Sequence, residues 1–167
     1  MKLQHGGTFF KTLFLIPALL IGGALAYFGF CEARKAYWDH EVRGMCEKDG
    51  GATVYQTVVL SPDQWKKMLN EFGDLSIPTK DQIKSDSTLF SETNTTYLKQ
   101  RSPQVRRSEF RLVRIDDMRL LATQTIYSRV GGDFPSFAHP SSFSCLDATP
   151  RKKSFDVEKL TVQLQGK

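Results

Sequence analysis

The stretch from Arg129 to Cys145, RVGGDFPSFAHPSSFSC, collects the residue types in this chain that could do chemistry. It holds an Arg, an Asp, four Ser, a Cys and the one His of the C-terminal two-thirds. An acyl-transfer site would use His139 as general base, Asp133 as its orienter and Ser141 or Ser142 as nucleophile. In such a site the base must reach the hydroxyl, and a third group must hold the base. The surroundings argue for less. Ser141-Ser142 lacks the G-x-S-x-G elbow that exposes a nucleophile, and a turn-rich loop explains the composition. Gly131-Gly132 permit positive φ, Pro135 and Pro140 stiffen the chain, and the Phe residues can plug a core. The favoured reading makes Arg129, Asp133, His139 and Ser141 a candidate functional loop without a catalytic residue. It expects His139 to pack against Phe137 and Phe143, bonded to Asp133 or to a backbone carbonyl.

Metal and cofactor chemistry find less support. His5 precedes the apolar N-terminal run and His40 follows it, so His139 has no histidine neighbour. Cys46 and Cys145 form no C-x-x-C pair, and structural zinc wants four ligands. Gly50-Gly51 and Gly131-Gly132 lack the spacing and the Lys of a phosphate-cradling loop. No metal and no cofactor is expected. Asp116-Asp117 reads as a hairpin turn, and Asn94-Thr95-Thr96 as a sequon that matters only in a eukaryotic secretory pathway.

Before any of this the chain runs through TLFLIPALLIGGALAYFGFC, residues 12–31, without one charge. Twenty apolar residues in a helix cross a hydrocarbon core of about 30 Å. A retained signal anchor and a cleaved signal peptide compete for this segment. Ala24-Leu25-Ala26 offers a cleavage site, but bulky Tyr27 and Phe28 follow it. The run is also longer than a signal peptide's apolar core and leads into helix without a Gly or Pro break. The anchor is favoured: residues 1–11 as a cytoplasmic tail, 12–31 as the span, and 32–51 as a membrane-proximal helix. Residues 52–167 then form an extracytoplasmic domain. Arg34, Lys35, Arg43 and Lys48 lean toward a cytoplasmic C-terminus, yet long domains cross largely regardless of charge. The even pair Cys46 and Cys145 favours export, where a disulfide between them would persist. Ala18, Gly22 and Ala26 recur at every fourth position, a spacing that lets a second copy pack closely. Ordinary use of small residues accounts for it as well.

Charge narrows the partners. Past Cys31 lie 21 of the 23 Lys and Arg and all 18 acids, a balance of +3. Lys99, Arg101, Arg106, Arg107, Arg111 and Arg114 cluster, and Arg151-Lys152-Lys153 follow. They straddle a turn at Ser102-Pro103 and a strand, with Glu109, Asp116 and Asp117 interleaved. A solvated face is expected, and no nucleic acid.

The elements that would position these residues read as α+β: an N-terminal transmembrane helix, then a small antiparallel sheet with one or two helices. The first helix should run through Cys46, with Trp38, Val42 and Met45 on one face, and stop at Gly50-Gly51. Ala52–Leu60 is a strand by composition. Ser61-Pro62-Asp63-Gln64 begins a helix with a capping box, and Trp65, Met68, Leu69 and Phe72 mark its apolar face before Gly73. Asp74–Thr96 reads mostly as loop. Ser108–Ile115 and Arg119–Ser128 form a hairpin. Ser154–Gln165 is open between helix and strand.

Cys46-Glu47-Lys48-Asp49-Gly50-Gly51 and its strand, with Tyr127 to Asp133 and His139 to Cys145, resemble segments of small uncharacterised bacterial exported or membrane-anchored proteins. The resemblance implies a bacterial envelope setting and a Cys near each end of the domain. It implies no activity. The sequence therefore leads to a single-pass inner-membrane protein whose C-terminal domain faces the periplasm in a binding or structural role. The alternatives are a membrane-anchored hydrolase acting through His139, and a secreted protein with its first segment removed.

Overall fold

The structure is a computed structural model and describes residues 6–134, 139–148 and 157–164. Helix α1 (Gly6–Asp49) runs 44 residues with Pro17 inside it and no break where the apolar run ends at Cys31. No Gly-Pro pair interrupts that junction, so the propagating hydrogen bonds simply continue. Gly50 donates to the Cys46 carbonyl, and Gly51 takes φ 122, a conformation open to glycine, which turns the chain out of the helix. Among the described residues α1 contains the one helical stretch long and apolar enough to cross a membrane.

The rest is a sheet with two cores. Strands β1 (Gly51–Val54), β3 (Leu89–Lys99), β4 (Gln104–Arg114) and β5 (Leu120–Val130) pair antiparallel in the order β1-β5-β4-β3. A short strand β6 (Ser142–Ser144) continues along the β1 edge of β5, opposite Ser128–Val130. Strand β2 (Val58–Leu60) lies apart and pairs parallel with β7 (Val162–Leu164). Side chains alternate across the sheet, so Phe110 and Leu112 face away from Val105 and Tyr127. On the first face Leu112, Leu121 and Ala122 meet Leu60, Met68, Ile77, Leu89, Val157 and Val162. On the second, Val105 and Tyr127 meet Val42, Cys46 and Cys145, so half of α1 is a domain element.

Several expectations change. The strand read over Ala52–Leu60 is two, β1 and β2, because the chain leaves the sheet at Tyr55–Thr57 to reach β7. Helix α2 (Pro62–Lys67) has the capping box, with Ser61 Oγ accepting from the Gln64 N–H and Gln64 Oε1 from the Ser61 N–H. It stops early, however: Met68 is its C-cap and Phe72 is exposed. The segment read as loop before Thr96 ends in the eleven-residue edge strand β3. Its Thr and Asn residues are exposed, so no apolar alternation marked it. The hairpin β4–β5 is present and longer than expected, with Met118 at φ 53 in its turn. The ambiguous C-terminal stretch is both elements in turn, α4 (Val157–Thr161) then β7; α3 (Cys145–Ala148) is a single turn.

Candidate functional site

The second half of α1 lies along the sheet and the β5–β6 loop on a stripe of period near 3.5, a spacing that keeps one helix face toward a partner. Phe28, Cys31, Lys35, Asp39, Val42, Cys46 and Asp49 mark it. At its far end Asp49 Oδ2 accepts the Tyr127 hydroxyl at 2.8 Å. Burial, and then that bond, push the Tyr127 phenol above its usual range. One turn back Cys46 is disulfide-bonded to Cys145, with Cα atoms 5.4 Å apart. Val42 is fully buried.

Asp39 then meets the centre of the site. Arg129 projects from β5 with only 1% of its side chain exposed, and its Nε donates to Asp39 Oδ1 at 2.5 Å. Its Nη1 donates to the Gly131 carbonyl, and both terminal nitrogens reach Ser141 Oγ at 3.2 Å. Asp133 Oδ1 lies 3.8 Å from Nη1. The Ser141 hydroxyl and backbone N–H both donate to Asp133. Burial alone would raise the Asp133 carboxyl; the two Ser141 bonds, with Arg129 and Lys35 charges nearby, outweigh it and hold the carboxyl below its ordinary range. A buried guanidinium is thus held by two carboxylates that lie 94 positions apart in sequence. Gly131 and Gly132 make this loop possible. Both have positive φ, and a Cβ on Gly132 would come within 3.0 Å of Pro103.

Toward the N-terminus the same loop follows α1. Arg34 Nη2 donates to the Gly132 carbonyl at 3.4 Å, and Cys31, the free thiol, is fully buried. Phe134 meets Tyr27 and Phe28, with ring centroids 5.7 and 5.9 Å apart. From Leu25 back to Phe14 the described side chains are exposed.

The structure brings Arg129, Asp133 and Ser141 together and leaves His139 out. His139 is exposed, not packed, and Asp133 is bonded to Ser141 instead. Its expected neighbour Phe137 lies outside the described residues, as does the basic run Arg151–Lys153. The imidazole makes no hydrogen bond to a described residue, so the base–nucleophile contact of a triad is missing. Asp39, Arg34 and Tyr127 were not singled out in the sequence; the helical spacing of Asp39 with Val42 and Cys46 was the available signal.

Elsewhere three arginines of the basic cluster pair locally. Arg107 and Arg111 pair with Glu109 at 2.8 and 2.9 Å, Arg111 with Glu92 at 3.6 Å, and Arg114 with Asp116 at 2.9 Å. Asp116 and Asp117 hold the β4–β5 turn, and hydrogen bonds from Arg114 draw the Asp117 carboxyl far below its usual range. Among the described residues no three His, Cys, Asp or Glu side chains group as metal ligands. An open cleft of about 670 Å³ lies on the side of the first core, lined by exposed polar groups including Gln64, Lys67, Asn70, Lys84 and Asp86. No protein-family model, curated protein or solved structure matches the chain.

Proposed function

We propose that this chain is a single-pass membrane protein that presents an α+β domain outside the cytoplasm, in the periplasm of a bacterial envelope. Its role there is binding or structural. One observation carries the reading. The domain packs on α1 from Tyr27 to Asp49 and leaves Phe14 to Ala26 exposed. The uncharged run 12–31 makes a helix of about 30 Å at 1.5 Å per residue, the thickness of a hydrocarbon core. The Cys46–Cys145 bridge suits an oxidising compartment. Against the hydrolase alternative, His139 makes no hydrogen bond to Asp133 or Ser141, which bond to each other.

A specific observation also favours the cleaved, secreted form. The contact with Phe134 begins at Tyr27, immediately after the Ala24-Leu25-Ala26 site, so removal of the first 26 residues would leave the contacts of α1 given above in place. Topology is tested by fusing alkaline phosphatase or a cytoplasm-only fluorescent reporter after Lys167. The phosphatase fusion should be active and the fluorescent one dark, because the short basic N-terminus stays inside. The reverse pattern would place the domain in the cytoplasm.

A further inference from the structure

The height at which the β5–β6 loop meets α1 has a consequence for the membrane surface. Phe134 packs on Tyr27 and Phe28, which are five and four positions before Glu32, the first charged residue after the apolar run. At 1.5 Å per residue, Phe134 sits about 6 Å on the bilayer side of that charge. Yet it is 39% exposed, an aromatic ring left half uncovered by its own chain. Beside it Arg34 caps the Gly132 carbonyl and lies over the Phe30 ring, with its Nε buried and unpartnered. Arg34 makes no salt bridge with a described carboxylate, whereas neighbouring Lys35 pairs with Glu32 at 3.2 Å.

We propose that the segment Gly131 to Phe134 makes a second membrane contact. Phe134 lies in the interfacial layer of the outer leaflet beside Tyr27 and Phe28, and Arg34, about 9–10 Å further out along α1, supplies the cation for lipid phosphates. Aromatic rings concentrate at this depth, and Arg side chains hold their charge at headgroups while their stems cover apolar surface. Three features converge. From Phe14 to Ala26 the helix is exposed and carries no charge. Gly131 and Gly132 are tied to the helix through the Arg129–Asp39 pair and the Arg34 hydrogen bond. The charge left unneutralised matches an anionic headgroup. The domain would then sit against the bilayer, not away from it on a stalk.

This inference rests on the anchored reading, and the test separates the two. The full chain is reconstituted in phosphatidylcholine–phosphatidylglycerol vesicles whose acyl chains are brominated near the headgroup end. The Phe134→Trp emission, taken as the difference from wild type, should be lost relative to unbrominated vesicles. That of Tyr97→Trp, on the exposed edge strand, should be unchanged. Protein that floats with the vesicles but keeps its full Phe134→Trp emission would overturn the loop contact and leave the anchor standing. Protein that fails to float would overturn both. Should Phe134→Trp not form the disulfide, para-fluorophenylalanine at position 134 keeps the ring shape. Broadening of its fluorine resonance by a nitroxide lipid then supports the contact, and a sharp line overturns it.

Discussion

Arg129 is a full positive charge with almost no access to water, and its place in β5 depends on what surrounds it. Removing one partner of a buried ion pair costs about 3–5 kcal/mol, because the remaining charge stays desolvated. Asp39 is itself 23% exposed and Asp133 still faces Arg129, so the lower end applies. Asp39→Asn should therefore destabilise the domain by about 3 kcal/mol, read as a lowered thermal midpoint of the detergent-solubilised chain. An unchanged midpoint would mean that Asp39 does not hold Arg129. Asp133 gives a second handle, through pH. Its folded carboxyl is held below the ordinary value, so the fold favours the charged form. That contribution is complete above the unfolded value of about 3.9 and is lost as pH falls through the lower folded one. Wild type should lose midpoint below about pH 4 more steeply than Asp133→Asn, which lacks the titrating group. Parallel curves would refute the assignment. Asp133 and Ser141 were legible because they lie eight positions apart in one loop with glycines and prolines. Asp39 was not: it is 90 positions from Arg129, and only docking of a helix on a sheet brings the two together. His139 was misjudged because its Phe neighbours suggested a core, whereas Phe134 turns to α1 and the imidazole faces out.

At the scale of elements, the bridge between α1 and α3 ties together pieces that share no backbone hydrogen-bond ladder. It closes 99 positions of chain, and in the chain-entropy model such a loop is worth about 4–5 kcal/mol. Replacing both Cys46 and Cys145 with Ala should lower stability by up to that amount and loosen α1 from β5. Hydrogen exchange at Asp39 to Asp49 would then rise. Unaltered exchange there would show that packing of Val42 and the Asp39–Arg129 pair suffices. Burial of Cys31 keeps the third thiol from competing for either partner. Which elements could be read depended on their signals. The capping box of α2, the stop at Gly50-Gly51 and the β4–β5 hairpin carry local chemistry that acts wherever the chain goes. Strand β3 does not. Its Thr93–Leu98 segment is exposed at the sheet edge, where pairing with β4 fixes the conformation and no buried face imposes alternation. The parallel β2–β7 pair was equally hidden, since it joins segments about a hundred positions apart.

For the molecule as a whole, the expected α+β class with an apolar N-terminal helix holds, and the second half of that helix packs against the sheet. The sequence shows where α1 is apolar; it does not show that a charged stripe of Arg34, Lys35 and Asp39 faces the domain. Polar side chains at helical spacing read as solvated until their partners are known. The consequence is a helix with two environments, one face contacted by protein from Tyr27 onward and every described side chain from Phe14 to Ala26 exposed. The most direct test of anchoring is the intact mass of the chain recovered from carbonate-washed membranes without reducing agent. Retention of the residues before Tyr27, with a mass two hydrogens below that of the reduced chain, is the result expected. A soluble species that begins at Tyr27 would contradict it.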